Sequence, residues 1–507
     1  MNRTVSPVRL LAVALAAAVA LTTVLGLVTA LLRPAPAGLW AYVDALEPYN
    51  LPTWLYAMLL LLTAVACLAA GLAARTRDRR AAWWWGGAAV GPTLASLCVA
   101  TGFHTRVDGL ARQVVGSTPL TTDWLPTAVV AGVVLAVPFV VLARRLPHGR
   151  WMVAAVALFG AGALASELLT RTLGPGGRAL AEVAEGLQDA GAAGLLLATV
   201  CAVRVVRDDA DLRVAPAGTD DTDARTSHER PDLGRRTLWL GLVVPTLALS
   251  ALSLLVTLAF PAPGPKLQQW IGYLNVDAEG NLPTWWAVGL LAAAAVAHLV
   301  TGLVGRAQGA RAAVGWLVTA VILAGMSLDD MTSIHERVGD MLKPEGAAAP
   351  ATPGGTFSFY WVIPGAGVAL VIAVIVGALA LRLRGRPRWL LVGGLGVLFF
   401  FALGLEGIEG AVIASNASNH AVEVLAYHVE ELGENVGALM LIGAATSALA
   451  VRRAAGALAV RYVGAGEAPD PVVEEPVVEA EPVGYAVEDS PTEAIPMVAA
   501  TTPIARA

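Results

Sequence analysis

Twelve apolar stretches divide the chain into two sets of six. Each is at least about 18 residues long, and a helix of roughly 20 residues crosses the hydrocarbon core of a bilayer. The pattern predicts an all-α fold, a polytopic membrane helical bundle of about 12 transmembrane helices. The predicted spans lie near residues 8–32, 53–74, 82–103, 125–143, 151–170, 184–203, 237–260, 283–305, 312–333, 360–381, 389–413 and 430–451.

Arginines are concentrated in alternate loops between these spans, as in 75–80, 144–145, 382–388 and 452–453. Cytoplasmic loops of membrane proteins carry an excess of Lys and Arg. The distribution therefore predicts a multi-pass protein of the cell (plasma) membrane with both termini in the cytoplasm. The first run starts like a signal peptide, but it has a counterpart in mid-chain, so we interpret it as a span.

Two motifs occur twice at one separation. Asn50-Leu-Pro-Thr-Trp54 recurs 231 residues later as Asn281-Leu-Pro-Thr-Trp285, and residues 96–107 align with 327–338 at the same offset. Such self-similarity indicates a duplication. We predict two tandem parallel six-helix repeats related by an axis along the membrane normal. The predicted domains are 1–206, the first repeat; 207–236, a cytoplasmic linker; 237–463, the second repeat; and 464–507, a disordered, acidic, Pro-rich cytoplasmic tail.

The halves differ in their acidic residues. In the second half Asp329, Asp330 and Glu336 occupy positions that hold uncharged residues in the first. The same is true of three glutamates near the last span, Glu430, Glu431 and Glu434. We therefore predict that the second repeat carries a polar site and that the site of the first repeat is degenerate.

Three motifs together carry a resemblance to a known family. They are Asn-Leu-Pro-Thr-Trp before a span, Ser-Leu-Asp-Asp-x4-His-Glu at the end of the next span and a late Glu-Glu-x2-Glu. As a set they resemble the motifs of a family of uncharacterised bacterial polytopic membrane proteins. The resemblance covers about residues 273–445, and the first half resembles the family only as a degenerate copy. It implies a polytopic helical architecture and, because the family has no established activity, it names no reaction.

Composition and charge indicate which classes of binding partner to expect. The chain is 56% hydrophobic and 14% charged, with a formal net charge of −5, whereas about 25% of residues are charged in soluble domains. The lipid bilayer is therefore the first expected partner. The tail concentrates acidic residues, so a cytoplasmic protein partner of the tail is a second expectation. The chain has no phosphate-binding loop, and topology explains its basic residues, so we expect no nucleic-acid partner.

The acidic residues and histidines of the second half are predicted to meet on the extracytoplasmic side. If residues 313–336 form one continuous helix, Asp329, Thr332, Ser333 and Glu336 share a face. Carboxylates within a bilayer are costly, and they are paired or functional. A divalent metal, zinc, iron or manganese, is one group that neutralises such a cluster. The predicted metal ligands are Asp329, Asp330, His335, Glu406, His428, Glu430, Glu431 and Glu434.

A metal site of this kind favours a metal-dependent membrane enzyme. We predict a hydrolase-like reaction on a lipid or lipid-linked substrate, with Glu336 as base and Asp329 as a second catalytic residue. Two alternatives remain open. Clustered carboxylates and histidines also mark the pathways of proton- or cation-coupled transporters. A structural or sensory membrane protein, with these residues solvated at the interface, is the third. Glu409 and His420 are weaker candidates, at the rim of the cluster.

Overall fold

The structure is a computed structural model. It describes residues 7–32, 42–44, 46, 49–75, 78–107, 109, 116, 124–173, 177–209, 213–214, 233–261, 264–342, 361–408, 420–454 and 457–464, and all structural statements concern these residues. The predicted tail, 464–507, lies outside them except for Gly464.

Six long helices form the first half of the described chain. They are α1 (Pro7–Leu32), α2 (Leu51–Ala74), α3 (Arg79–Thr101), α4 (Trp124–Ala143), α5 (Arg150–Leu173) and α6 (Arg178–Asp209). A two-residue strand, β1 (Arg213–Val214), follows α6.

The second half contains six long helices and two short ones. They are α7 (Leu233–Ala259), α8 (Pro265–Leu274), α9 (Leu282–Ala307), α10 (Ala313–Thr332), α11 (Ile334–Leu342), α12 (Val362–Ala380), α13 (Arg386–Phe399), continued by a π-helical segment (Phe400–Leu405), and α14 (His420–Ser447). Strands β2 (Leu449–Ala454) and β3 (Ala457–Tyr462) end the described part.

Nine helices of the described part are long and apolar enough to cross a membrane: α1, α2, α5, α6, α7, α9, α10, α12 and α13. Many large apolar side chains on them face outward, such as Leu32, Val321 and Ile363. Contiguous apolar surface of this extent is rare on soluble monomers, because water disfavours it. The chain is therefore a multi-pass helical membrane protein.

Equivalent helices pack in equivalent ways in the two halves. Helix α2 packs against α3 and α6, and α9 packs against α10 and α14. Asn50 begins α2 and accepts the Thr53 N–H at 2.8 Å, while Asn281 begins α9 and accepts the Thr284 N–H at 3.0 Å. These contacts explain the Asn-Leu-Pro-Thr-Trp motif as a helix start, because Asn caps the free N–H groups and Pro is tolerated in the first turn.

A buried apolar cluster joins the two halves. Its members come from α2, α3, α9 and α10: Ala57, Met58, Ala100, Val288, Ala292 and Met331. Two hydrogen bonds cross at this cluster. The Trp54 indole N–H donates to the Ser327 hydroxyl at 3.2 Å, and the Trp285 indole N–H donates to the Ser96 hydroxyl at 3.1 Å. The motif tryptophans, Trp54 and Trp285, therefore link the two halves.

A three-stranded sheet corrects the prediction at the linker and at the last span. Strand β3 lies between β1, which is parallel to it, and β2, which is antiparallel to it. Residues 213–214 thus form a strand within the predicted linker, whose ends also belong to α6 and α7. The last helix ends at Ser447 and not near 451, because strand pairing and the contacts of Tyr462 replace the helix. Tyr462 accepts the Trp316 indole N–H at 3.0 Å.

Candidate functional site

Six carboxylates form the acidic cluster of the second half. They are Glu279, Asp330, Glu406, Glu430, Glu431 and Glu434, which lie within electrostatic range of one another. They come from the α8–α9 loop, the end of α10, the residue after the π-helical segment, and α14. Five of the six were predicted as ligands, and the structure brings these five together.

A break between α10 and α11 positions Asp329 and His335. Ser333 has a φ of 47°, in the left-handed region, and ends α10. The chain then folds back, so that Asp329 accepts the His335 backbone N–H and contacts the His335 Nδ1, both at 3.0 Å. The predicted single face for Asp329, Thr332 and Glu336 was wrong, because a continuous helix does not cross a left-handed residue.

The Asp329–His335 pair is an ion pair near neutral pH. Burial opposes a charged imidazole, but the hydrogen bond and charge of Asp329, with the charges of Glu336 and Glu406, outweigh burial and raise the pKa of His335 to about 9. Both carboxylate oxygens of Asp329 contact His335. Asp329 therefore orients His335, a positioning role that the sequence did not suggest for it.

Trp361 connects this pair to Glu406. Its ring centroid lies 4.4 Å from that of His335, and its indole N–H donates to Glu406 Oε1 at 2.7 Å. Glu406 follows the π-helical segment Phe400–Leu405, and π-helical turns recur at functional sites because they change the direction of the following side chains. Glu409 lies outside the described residues, and so does the side chain of His420.

Asp330 is the member of the acidic cluster whose carboxylate most needs a neutralising partner. Its Oδ2 atom is shielded from solvent and has no hydrogen-bond partner among the described residues. The charges of Asp330 and Glu279 act on both Glu431 and Glu434, across the gap between α10 and α14. Burying an ionised carboxylate without a partner costs several kcal/mol, on the order of 3–5. Protons or another cation must therefore accompany this cluster.

His428 lies beside the cluster and makes structural contacts. Its Nδ1 lies 2.7 Å from the Val424 carbonyl, and its Nε2 lies 2.8 Å from the Ser253 hydroxyl. Because a carbonyl oxygen only accepts, Nδ1 carries the proton and Nε2 accepts from Ser253. Ser253 also accepts the Val276 N–H at 3.0 Å. The predicted role of His428 as a metal ligand does not fit, since neither nitrogen has a lone pair to spare.

The described residues do not form a ready metal site. Within the part of the chain that the structure describes, no group of three His, Cys, Asp or Glu side chains has the geometry to hold a metal ion. Glu336, the predicted base, is exposed. The Arg337 guanidinium, two residues after His335, lies over the Tyr42 ring, 4.5 Å from the centroid.

Two acidic residues before α9 were missed by the sequence analysis. Desolvation, with the charges of Asp330 and Glu336, raises the pKa of Glu279 to about 8, although its side chain still reaches solvent. Desolvation and the charge of Glu336 raise the pKa of Asp277 to about 6. The repeat offset contained the signal, because the corresponding residues of the first half are Leu46 and Pro48.

The first half also contains buried acidic residues that were not predicted. Glu182 and Asp189 of α6 are almost completely buried, and Glu185 lies between them on the same helix. The Ser166 hydroxyl donates to Glu185 at 2.5 Å. These carboxylates do not align with the glutamates of the second half: Asp189 lies between the uncharged residues that match Glu431 and Glu434, and Glu182 and Glu185 precede them.

Fold and site together define a multi-pass helical membrane protein with a partly buried acidic cluster. Residues 225–448 match a family model described as a domain of unknown function (DUF8692). The match includes the whole acidic cluster and amounts to less than half of the chain. No curated protein and no solved structure matches the chain.

Proposed function

We propose that this chain is a proton- or cation-coupled transporter and that the acidic cluster binds the coupling or transported cation. One observation carries the proposal: Asp330 Oδ2 is buried without a partner and faces the glutamates of α14. Buried ionisable residues within membrane proteins occur in ion pathways and proton relays, where a mobile cation neutralises them. The broken helix at Ser333 and the π-helical segment before Glu406 support it, since irregular helices line the binding sites of transporters.

The proposed architecture is two tandem six-helix repeats with about 12 spans. The support is that residues 231 positions apart in the two halves make the same kinds of contact with the opposite half. Arg106 lies over the Tyr273 ring at 4.8 Å, and Arg337 lies over the Tyr42 ring at 4.5 Å. The tryptophan and serine motifs exchange hydrogen bonds in the same way. Parallel repeats related by an axis along the membrane normal are an architecture that transporters use.

The proposed location is the cell membrane, with both termini in the cytoplasm and the acidic cluster open to the extracytoplasmic side. The arginine-rich loops support this orientation through the positive-inside rule. The cluster lies at the end of α10 and in the middle of α14, and the sheet follows the other end of α14.

The experiment is an ion-flux measurement on purified protein in liposomes that contain a pH-sensitive dye. Gradients of Na⁺, K⁺, Mg²⁺, Mn²⁺ or Zn²⁺ are imposed one at a time, and the internal pH is recorded. We expect at least one gradient to change the internal pH, and we expect Asp330→Asn to abolish that change. Asp78→Asn is the control, because it removes an exposed carboxylate outside the acidic cluster and keeps a side-chain oxygen for the N-cap of α3. Wild-type traces equal to those of empty liposomes under every gradient would refute the proposal.

A membrane enzyme is the second candidate function, and the Asp329–His335 pair favours it. A carboxylate that orients a histidine is a common element of acid–base sites and of metal sites, where the second ring nitrogen acts on the substrate or the metal. The substrate class would be a lipid or a lipid-linked group. The test is metal content by mass spectrometry of wild type beside an Asp329→Ala/His335→Ala double variant. Stoichiometric zinc, iron or manganese that is lost in the folded variant would favour this function over transport.

A further inference from the structure

A second buried acidic group lies in the first half, where α6 begins. Asp44 is completely buried, and the Arg178 guanidinium forms a salt bridge with its Oδ2. Asp44 Oδ1 also accepts the Leu46 N–H at 3.1 Å. The charge of Asp44 is thus balanced by Arg178.

Glu182 lies one helical turn after Arg178, and its charge is not balanced by a salt bridge of this kind. Its residue surface is 1% exposed, and neither carboxylate oxygen has solvent contact or a hydrogen-bond donor among the described residues. Helix α1 faces it with Gly26, where an added Cβ would collide with Glu182 Oε2. The absence of a side chain at Gly26 makes room for this carboxylate beside α1.

The charged groups around Glu182 are two carboxylates and one arginine. Asp44 is in hydrogen-bonding contact with it, Glu185 lies on the next turn of α6, and Arg178 is shared with Asp44. Glu167 of α5 acts on Glu185 from the other side. One arginine cannot neutralise both Asp44 and Glu182. Two carboxylates in contact cannot both stay ionised in a low-dielectric environment, so such a pair retains a proton.

We propose that Glu182 and Asp44 form a proton-binding site of the first half, in which the Glu182 carboxylic acid donates its O–H to the Asp44 carboxylate. Arg178 compensates the one remaining negative charge. The ligand class is a proton and not a metal cation, because Arg178 already occupies the cationic position beside Asp44. The site is independent of the proposed transport function, since the acidic cluster lies in the other half of the chain.

The proposed site predicts how the number of protonated carboxyl groups changes in two variants, which a purely structural role does not. If Asp44 is replaced by Asn, the carboxylate beside Glu182 is removed and the Arg178 charge stays, so Glu182 should lose its proton. If Arg178 is replaced by Gln, its charge is lost from the pair, and both Asp44 and Glu182 should be protonated. The number of protonated carboxyl groups therefore falls by one in the first variant and rises by one in the second.

The experiment is infrared spectroscopy of the detergent-purified full chain at neutral pH, using the C=O stretching band of protonated carboxylic acids. We expect a band in the wild type that shifts in D₂O, loses one carboxyl equivalent in both Glu182→Gln and Asp44→Asn, and gains one in Arg178→Gln. Asp78→Asn, at the exposed N-cap of α3, is the control and should leave the band unchanged.

Two outcomes would overturn the proposal. A wild-type band unaltered in both Glu182→Gln and Asp44→Asn would mean that Glu182 is ionised. Loss of the wild-type band when choline chloride is replaced by NaCl at constant pH would assign the site to sodium. Should Glu182→Gln fail to fold, the opposite changes expected from Asp44→Asn and Arg178→Gln still decide the question.

Discussion

Trp54 donates its indole N–H to the hydroxyl of Ser327, 273 residues further along the chain, at 3.2 Å. Ser327 in turn donates to the Val288 carbonyl at 2.9 Å. The same relay exists with the halves exchanged, from Trp285 through Ser96 to the Ala57 carbonyl. The start of α2 is therefore bonded to the second half, and the start of α9 is bonded to the first half. This symmetric pair of contacts supports the proposed duplication.

The two serines are expected to contribute equally to stability. Ser327→Ala and Ser96→Ala each leave a tryptophan N–H without its acceptor and remove a second donor from a helical carbonyl, so each variant should lose about 1–3 kcal/mol of unfolding free energy. Thermal unfolding in detergent measures this loss. Ser447→Ala is the matched control, because its hydroxyl bonds only to the Ala444 carbonyl of its own helix, at 2.9 Å. A large loss in only one of the two buried variants would contradict the equivalence of the halves.

The long helices were predictable because hydrophobic length is a local property of sequence. Each of the twelve predicted stretches overlaps a helix of the described residues, as 283–305 does with Leu282–Ala307, and nine of these helices are long and apolar enough to span a membrane. Where the prediction failed, tertiary contacts decide the conformation. Helix α8 is too short to register as a span, and the strands after Ser447 depend on pairing with residues distant in sequence.

Most residues of the site could be predicted from the sequence, but their arrangement could not. The repeat offset identified Asp330, and the Glu-Glu-x2-Glu motif identified the glutamates of α14. The left-handed conformation of Ser333 left no sequence signal, since a non-glycine residue rarely adopts it. Glu182 was missed because it lies just before the apolar run predicted to start near residue 184, so its burial was not considered.

The Asp329–His335 pair should stabilise the protein most at acidic pH. The pKa of His335 rises from 6.5 in the unfolded chain to about 9 in the folded protein. The contribution is complete below about pH 6.5, declines as the pH rises, and is lost above about 9. His335→Gln should therefore lower the melting temperature more at pH 6 than at pH 10. Because the side chains are partly exposed, we expect the difference to be about 1 kcal/mol or less.

The check is a set of melting curves of wild type and His335→Gln across this range. A gap between the two that widens with increasing pH would show that the imidazole is not the charged partner of Asp329.

Glu279 should also make the folded protein less stable as the pH rises. Desolvation, with the charges of Asp330 and Glu336, raises its pKa from 4.5 to about 8. The folded protein then binds this proton more tightly than the unfolded chain, so stability falls as the pH rises from about 4.5 through 8. Glu279→Gln removes this loss. The variant should match the wild type near pH 4.5 and should melt at a higher temperature at pH 9, and an equal or lower melting temperature at pH 9 would contradict the prediction.

Gly437 tests the contact between α13 and α14, which holds Glu430, Glu431 and Glu434 in place. A Cβ at Gly437 would lie 2.7 Å from the Leu398 Cβ and 2.9 Å from the Gly394 carbonyl oxygen. Neither backbone nor Cβ atoms can rotate away, so Gly437→Ala should force the helices apart and cost about 1–3 kcal/mol.

Gly396→Ala is the control for this substitution, since it lies on α13 and an added Cβ meets no atom within 4 Å. Alanine there should raise stability by up to about 1 kcal/mol, because glycine is a poor helix former. Thermal unfolding of both variants in one detergent compares them directly. If the helices separate in Gly437→Ala, the acidic cluster loses its alignment, and the ion flux expected of the wild type should fall in this variant and persist in Gly396→Ala. Equal stability of the two variants would mean that α13 and α14 do not pack at this distance, and the geometry proposed for the cluster would fail with them.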